Sequence, residues 1–166
     1  MTTIVITEEH FAVDGRITDG NHIVSDQHPK WTRYGDHIRL WTGNVNLENI
    51  ILENEDLSQI DPDLLVEETD CIIDIVRCEE REYGKYEVLN IREYYKNPDT
   101  QKVHVMTVTQ FPYVAGSGAR FAKGALLGGA SPSEAVVIAS KCDIRTGGLV
   151  TQMSLINIGD IVTVNC

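Results

Sequence analysis

Two helix signatures stand back to back between residues 117 and 142, and most of the chain on either side reads as strand. Residues 117–127 carry Ala119, Ala122, Ala125 and Leu126 on one face and stop at Gly128-Gly129. Alanines on that face let a neighbour approach closely. Ser131-Pro132-Ser133-Glu134 is a capping box with proline at the first helical position, so a second helix starts there and runs to about Cys142. Before this pair, residues 3–7 and 11–13 form an apolar hairpin around the polar turn Glu8-Glu9-His10, and residues 38–42 form a strand ending at Gly43. Val45, Leu47, Ile50 and Ile51 suggest a modest helix, and residues 71–76, 86–94 and 102–110 form a meander with turns at Gly84 and Asn97-Pro98-Asp99. After the pair, strands return at 149–155 and 161–164, with a turn over 157–160. A helix pair with strands at both ends predicts stacked sheets and helices, an α+β fold.

The 166 residues lack a repeat, a low-complexity stretch or a linker, so one domain over 1–166 is expected. Fourteen basic and twenty-five acidic residues give a net charge of −11, which disfavours nucleic acid as a partner. Fifteen acids against four bases fall between Glu48 and Glu93, either a solvated face or a docking surface for a basic protein partner. No apolar run is long enough for a bilayer, and no basic stretch followed by an apolar one opens the chain, so no membrane association and a cytoplasmic location are expected. Cys71, Cys78, Cys142 and Cys166 form no C-x-x-C pair, and the five histidines show no ligand spacing. Reduced thiols, no metal and no cofactor are the expectation.

Four short motifs carry chemistry. They are Met1-Thr2-Thr3-Ile4-Val5; Asp14-Gly15-Arg16-Ile17-Thr18-Asp19-Gly20, with Lys30 ten residues on; Gly116-Ser117-Gly118 opening the first helix; and Asp143-Ile144-Arg145-Thr146-Gly147-Gly148 before a strand. Taken singly, each residue has a plain structural role open to it. Asp14 suits a turn, Lys30 a surface, Ser117 a helix N-cap, and Asp143 with Gly147-Gly148 a helix exit. Their joint order and spacing favour a common site.

In that order and spacing the chain resembles proteasome β-subunits and the bacterial HslV protease, over almost its full length. Those proteins begin their mature chain with Thr-Thr-Ile or a relative. They carry D-S-R-x-T-x-G with a lysine ten residues later, G-S-G before a helix and D-x-x-S-G-G before a strand. Gly15 and Thr146 stand where the family has serine, Asn44 where it often has a second glycine, and Trp41 near the floor of its specificity pocket. The first hairpin is shorter, and a compact form of this kind resembles the proteasome-like proteins encoded by bacteriophages.

The resemblance implies a four-layer αββα sandwich of the N-terminal-nucleophile (Ntn) hydrolase type and a threonine peptidase acting on peptides or proteins. It also implies a homo-oligomer, with a ring and an ATP-dependent unfoldase as further expectations. Removal of Met1 exposes Thr2, whose α-amine is the base for its own hydroxyl. Such an amine, with a pKa of about 7.7–8.0, is partly neutral near pH 7. Lys30 then lowers the amine's pKa by like-charge repulsion and Asp14 holds Lys30. The Gly43 N–H is the oxyanion donor, and Ser117, Asp143 and Thr146 surround the amine. Two other readings stand beside this one: a catalytically silent interaction or inhibitor protein using the acidic segment, and an amidase acting on a small molecule.

Overall fold

The computed structural model of the chain describes residues 2–80, 85–157 and 160–166. Met1, Glu82 of the acidic run, the expected turn at Gly84 and the middle of the expected 157–160 turn lie outside these residues.

The strands in chain order are β1 (Thr3–Ile6), β2 (His10–Val13), β3 (Ile17–Asp19), β4 (His22–Ser25), β5 (Trp31–Tyr34), β6 (His37–Thr42), β7 (Cys71–Glu80), β8 (Lys85–Lys96), β9 (Val103–Thr107), β10 (Tyr113–Gly116), β11 (Leu149–Ser154) and β12 (Ile161–Asn165). The helices are α1 (Leu47–Glu53), α2 (Ala119–Leu127) and α3 (Pro132–Ser140). One five-stranded sheet runs β10-β1-β2-β11-β12, a second runs β5-β6-β7-β8-β9, and β3 pairs with β4 alone. The α+β class expected from the pattern is what the chain adopts.

Alternation along the strands decides what each face buries. Ile4 and Ile6 of β1 and Phe11 and Val13 of β2 share a cluster with Ile38, Leu40, Ile73, Ile75 and Ile91 of the second sheet. The residues between them, Val5 and Ala12, turn instead to Ala122, Ala135, Val136 and Ala139 of α2 and α3. On the second sheet, Trp41, Ile72 and Tyr94 pack with Leu47 and Ile51 of α1 and with Leu57, Ile60 and Leu65 beyond it. Fully burying one such aliphatic side chain stabilises by about 1.5–3 kcal/mol, so a one-residue slip of β1 would be costly on both faces.

Local signals fix the ends. The β1–β2 turn is held by Thr7, whose hydroxyl bonds the His10 carbonyl and accepts the His10 N–H. The Ser131–Glu134 capping box forms in full, and α3 ends at Ser140, two residues before the expected stop. Expected strand 102–110 is shorter, ending at Thr107. Val108 still gives its N–H to Ile91, after which the chain turns away towards Pro112, which has no N–H for a ladder.

The acidic run is not all surface. Asp74 of β7 is buried and pairs with Arg39 and His37 of β6. Arg39 also donates to the carbonyls of Ile51, Asn54 and Glu55, tying the end of α1 to the sheet. Asp70 is buried as well. No described helix is long and apolar enough to cross a membrane.

Candidate functional site

Two hydrogen-bonded chains meet at Thr3, the residue that opens β1. The first runs through its backbone. The Thr3 N–H donates to Asp14 Oδ1 at 2.7 Å. Asp14 Oδ2 accepts the N–H groups of Gly147 at 3.0 Å and Arg16 at 3.1 Å, and lies 3.4 Å from Lys30 Nζ. Asp14 directly follows β2 and Lys30 directly precedes β5, so the ends of two sheets bring them together. Both are almost fully buried. Burial pushes the Asp14 carboxyl above its ordinary value, opposed by the Lys30 ammonium and three backbone N–H groups. Burial likewise lowers Lys30, opposed by Asp14.

The second chain runs through the Thr3 side chain. Thr3 Oγ1 is 2.7 Å from Thr146 Oγ1, and Thr146 donates to Asp143 Oδ2 at 2.8 Å. A hydroxyl has one proton, so with Thr146 donating to Asp143, Thr3 is the donor to Thr146. Ser117 donates to the same Asp143 oxygen at 2.5 Å. Burial raises the Asp143 carboxyl, but the bonds from Ser117, the Arg145 N–H and Thr146 together bring it below its ordinary value. Ser117 is therefore not the cap of α2; Gly118 holds that position.

The approach of β1 to the start of α2 depends on missing side chains. A Cβ on Gly116 would fall 2.0 Å from the Thr2 carbonyl oxygen, and one on Gly118 would fall 2.1 Å from Thr3 Oγ1. The Thr2 hydroxyl is buried and has no hydrogen-bond partner among the described residues.

Gly43 follows β6 with φ +114°. It borders a cavity of about 340 Å³ that Lys30, Trp41, Arg16 and Thr18 also line. It also borders a cavity of about 270 Å³, lined among others by Thr18, Glu67, Asp70 and Arg145. The structure thus groups Asp14 with Lys30, groups Ser117 with Asp143 and Thr146, links both groups through Thr3, and sets Gly43 on a cavity wall with Lys30.

Sequence reasoning missed three residues. Thr3, inside the first motif and the first strand, was given no role of its own, yet its hydroxyl and N–H join the two groups. Arg16, inside the second motif, reaches the fourth by donating to the carbonyls of Ile144 at 3.2 Å and Thr146 at 3.3 Å, while Asp26 holds its Nε at 2.7 Å. Asp70, isolated before β7, carried no spacing signal.

No family model and no curated protein matches the sequence. Among solved structures, Thiobacillus denitrificans BPH superposes with a TM-score of 0.60 at 17% identity, covering 96% of this chain and 99% of that one. The same protein in complex with epoxomicin gives a TM-score of 0.58 at 16% identity, covering 92% and 96%. Eukaryotic HslV from Trypanosoma brucei gives 0.57 at 17% identity, covering 92% and 97%. The chain is similar in fold to these proteins over nearly its whole length.

Proposed function

We propose that the chain is a threonine-type Ntn peptidase of proteasome-like, four-layer αββα architecture, active once Met1 has been removed. The observation that carries this reading is the convergence of Asp14–Lys30 and Ser117–Asp143–Thr146 on the Thr2-Thr3 segment, with the Thr2 hydroxyl buried and without a partner among the described residues. The order helix pair, sheet, sheet, α1 is supported by three separate apolar clusters.

In this mechanism Thr2 Oγ attacks the scissile carbonyl carbon while the Thr2 α-amine takes its proton. The amine returns that proton to the leaving amine as the C–N bond breaks. Water, deprotonated by the same amine, then hydrolyses the ester to Thr2. Lys30 supplies positive charge that keeps the amine neutral, and Asp14 fixes Lys30 while gripping the Thr3 N–H. The Gly43 N–H takes the oxyanion, an interaction whose removal typically costs about 2.7–4 kcal/mol of barrier. Ser117, Asp143 and Thr146 orient the segment through the Thr3 hydroxyl. Peptides or proteins are the substrate class, and a homo-oligomer in the cytoplasm, served by an unfoldase, is the setting this fold suits; a compact bacteriophage-encoded form fits the short first hairpin.

Epoxomicin tests the reading, because it binds the superposed Thiobacillus protein. Intact mass of protein from its native host should show loss of Met1 and a single adduct on incubation, absent in Thr2→Ala. Protein that has lost Met1, is oligomeric, and stays inert to epoxomicin and to fluorogenic peptides would overturn it.

A further inference from the structure

Asp70 is a buried carboxylate for which the mechanism above has no use. It stands at the end of the loop before β7, 3% exposed. Its Oδ2 accepts both loop N–H groups, from Val66 at 3.1 Å and Glu67 at 3.0 Å. Its Oδ1 is buried and has no hydrogen-bond partner among the described residues. A bare carboxylate oxygen out of water is costly unless something pairs with it. Burial, with the backbone bonds and the N-terminal ammonium opposing and the Glu67 charge adding, pushes the carboxyl above its ordinary value.

The position of that carboxyl matters. A Cβ on Gly43 would lie 2.6–2.9 Å from its Cγ and both oxygens. The residue proposed as oxyanion donor therefore has a carboxyl group packed against its Cα. A negative charge there repels the oxyanion that hydrolysis must build, so it suits the reaction only when a cation neutralises it. Among described residues no cation forms an ion pair with Asp70. Arg145, in the same cavity wall, is engaged with Glu67 at 3.4 Å. The cavity, about 270 Å³, falls just below the usual 300–1,000 Å³ of small-molecule sites and suits a single side chain.

We propose that Asp70 is a specificity-determining residue that receives a lysine or arginine side chain of the substrate close to the scissile bond. This rests on the peptidase reading. The substrate cation takes the bare Oδ1, with Glu67 adding to the attraction, and removes the charge that opposes the oxyanion. Basic substrates are thereby favoured in the chemical step as well as in binding.

The test uses internally quenched, N-acetylated peptides in which lysine or norleucine is walked through the three positions on each side of the cleaved bond, so that the side chain is the sole added cation. For at least one position the lysine peptide should exceed its norleucine partner in kcat/KM by about 10- to 100-fold, the range for a hydrogen bond between charged groups. Asp70→Asn should erase that preference and raise turnover of the norleucine peptide. Both loop N–H groups bond Oδ2, so an asparagine carbonyl in that place keeps them, which separates charge from folding. No lysine preference at any position in the wild type, or a preference that survives in Asp70→Asn, overturns the proposal. Should Asp70→Asn not fold, a wild type that treats lysine, norleucine and glutamate alike overturns it, and a wild-type order of lysine over norleucine over glutamate supports it. If oligomeric protein that has lost Met1 cleaves no peptide at all, the peptidase reading fails by itself. Fluorescence anisotropy of the same peptides on Thr2→Ala then decides the inference: lysine bound about tenfold tighter, with the difference lost in Thr2→Ala/Asp70→Asn, supports it, and equal binding overturns it.

Discussion

Gly118→Ala tests the meeting of β1 with the start of α2. Gly118 has φ −87°, which alanine adopts freely, so backbone strain is small, although alanine is a poorer helix N-cap than glycine by about 0.5–1 kcal/mol. Comparison with Thr3→Ala separates the contact from that cap effect. The new Cβ would sit 2.1 Å from Thr3 Oγ1, 2.7 Å from Thr146 Oγ1 and 3.3 Å from Ala139 Cβ. Thr3, Thr146 and Ala139 are all fully buried, and the threonine side chains are short and β-branched, so neither can swing aside as a lysine would. Overpacking costs about 1–3 kcal/mol. Forcing Thr3 Oγ1 from Thr146 strands a buried hydroxyl for about 1–3 kcal/mol more. A loss of about 2–5 kcal/mol follows, which for a domain of this size lowers Tm by roughly 5–15 °C. Thermal and urea unfolding of wild type, Gly118→Ala, Thr3→Ala and the double variant measure it. Thr3→Ala removes the atom that clashes, so the double variant should be at least about 1 kcal/mol more stable than the sum of the single effects. A Gly118→Ala protein that melts within about 2 °C of wild type, or strictly additive losses, refutes the contact on which the site's geometry depends.

Other perturbations read other parts. Asp14→Asn strips Lys30 of its charge partner inside the protein and should cost about 3–5 kcal/mol in urea unfolding at neutral pH. In that variant the unfolded chain binds more protons than the folded one between the lowered folded pKa of Lys30 and its ordinary 10.5, so stability should rise with pH across that window; a flat profile counts against a buried Lys30. Asp143 has a folded pKa below its ordinary 3.8, so its contribution to stability is present above that value and lost as pH falls through the folded one. Ser117→Ala should shrink that acid-side loss, and an unchanged acid limb would show the Ser117 bond to be inconsequential. Arg39→Met releases the carbonyls at the end of α1 and one partner of buried Asp74, and should destabilise by about 3–5 kcal/mol while leaving epoxomicin labelling of the folded protein intact.

The strands that bury both faces were legible in the sequence, because alternation in β1, β2, β6 and β7 divides their residues between two clusters. The capping box of α3 and the Gly128-Gly129 stop of α2 were legible for the same reason: each is settled by chemistry within a few residues. The β3–β4 hairpin and β5 were not foreseen. Ile17-Thr18-Asp19 and His22-Ile23-Val24-Ser25 are mostly exposed and have no periodic apolar face, so pairing with each other decides their shape. Motif spacing singled out Asp14, Lys30, Ser117, Asp143 and Thr146, and the structure brings them together around Thr3. What spacing could not express was which atom of the N-terminal segment they hold. Asp70 was invisible for a related reason: its neighbour Gly43 is brought to it by β6 and β7 pairing, with Thr42 opposite Cys71.

On the proposed peptidase reading, the atom that the site residues hold bears on how Thr2 would become active. The expectation from resemblance was a shell built around the Thr2 amine. In the structure, Asp14 grips the Thr3 N–H and Thr146 takes the Thr3 hydroxyl, and neither bond needs a free amine one residue earlier. Asp143, Ser117 and Lys30 are joined to those two acceptors whatever precedes Thr2. Among the described residues the Thr2 hydroxyl is left buried and without a hydrogen-bond partner, a deficit of about 1–3 kcal/mol. On the proposed peptidase reading, loss of Met1 would supply a base to a site already arranged, and should leave stability nearly unchanged. Comparing the urea midpoint of a Met1-retaining protein with that of one starting at Thr2 measures this directly. Unfolding free energies, taken as midpoint times m, that differ by more than about 2 kcal/mol would mean that the free amine helps build the shell, and that Thr3 is not its anchor.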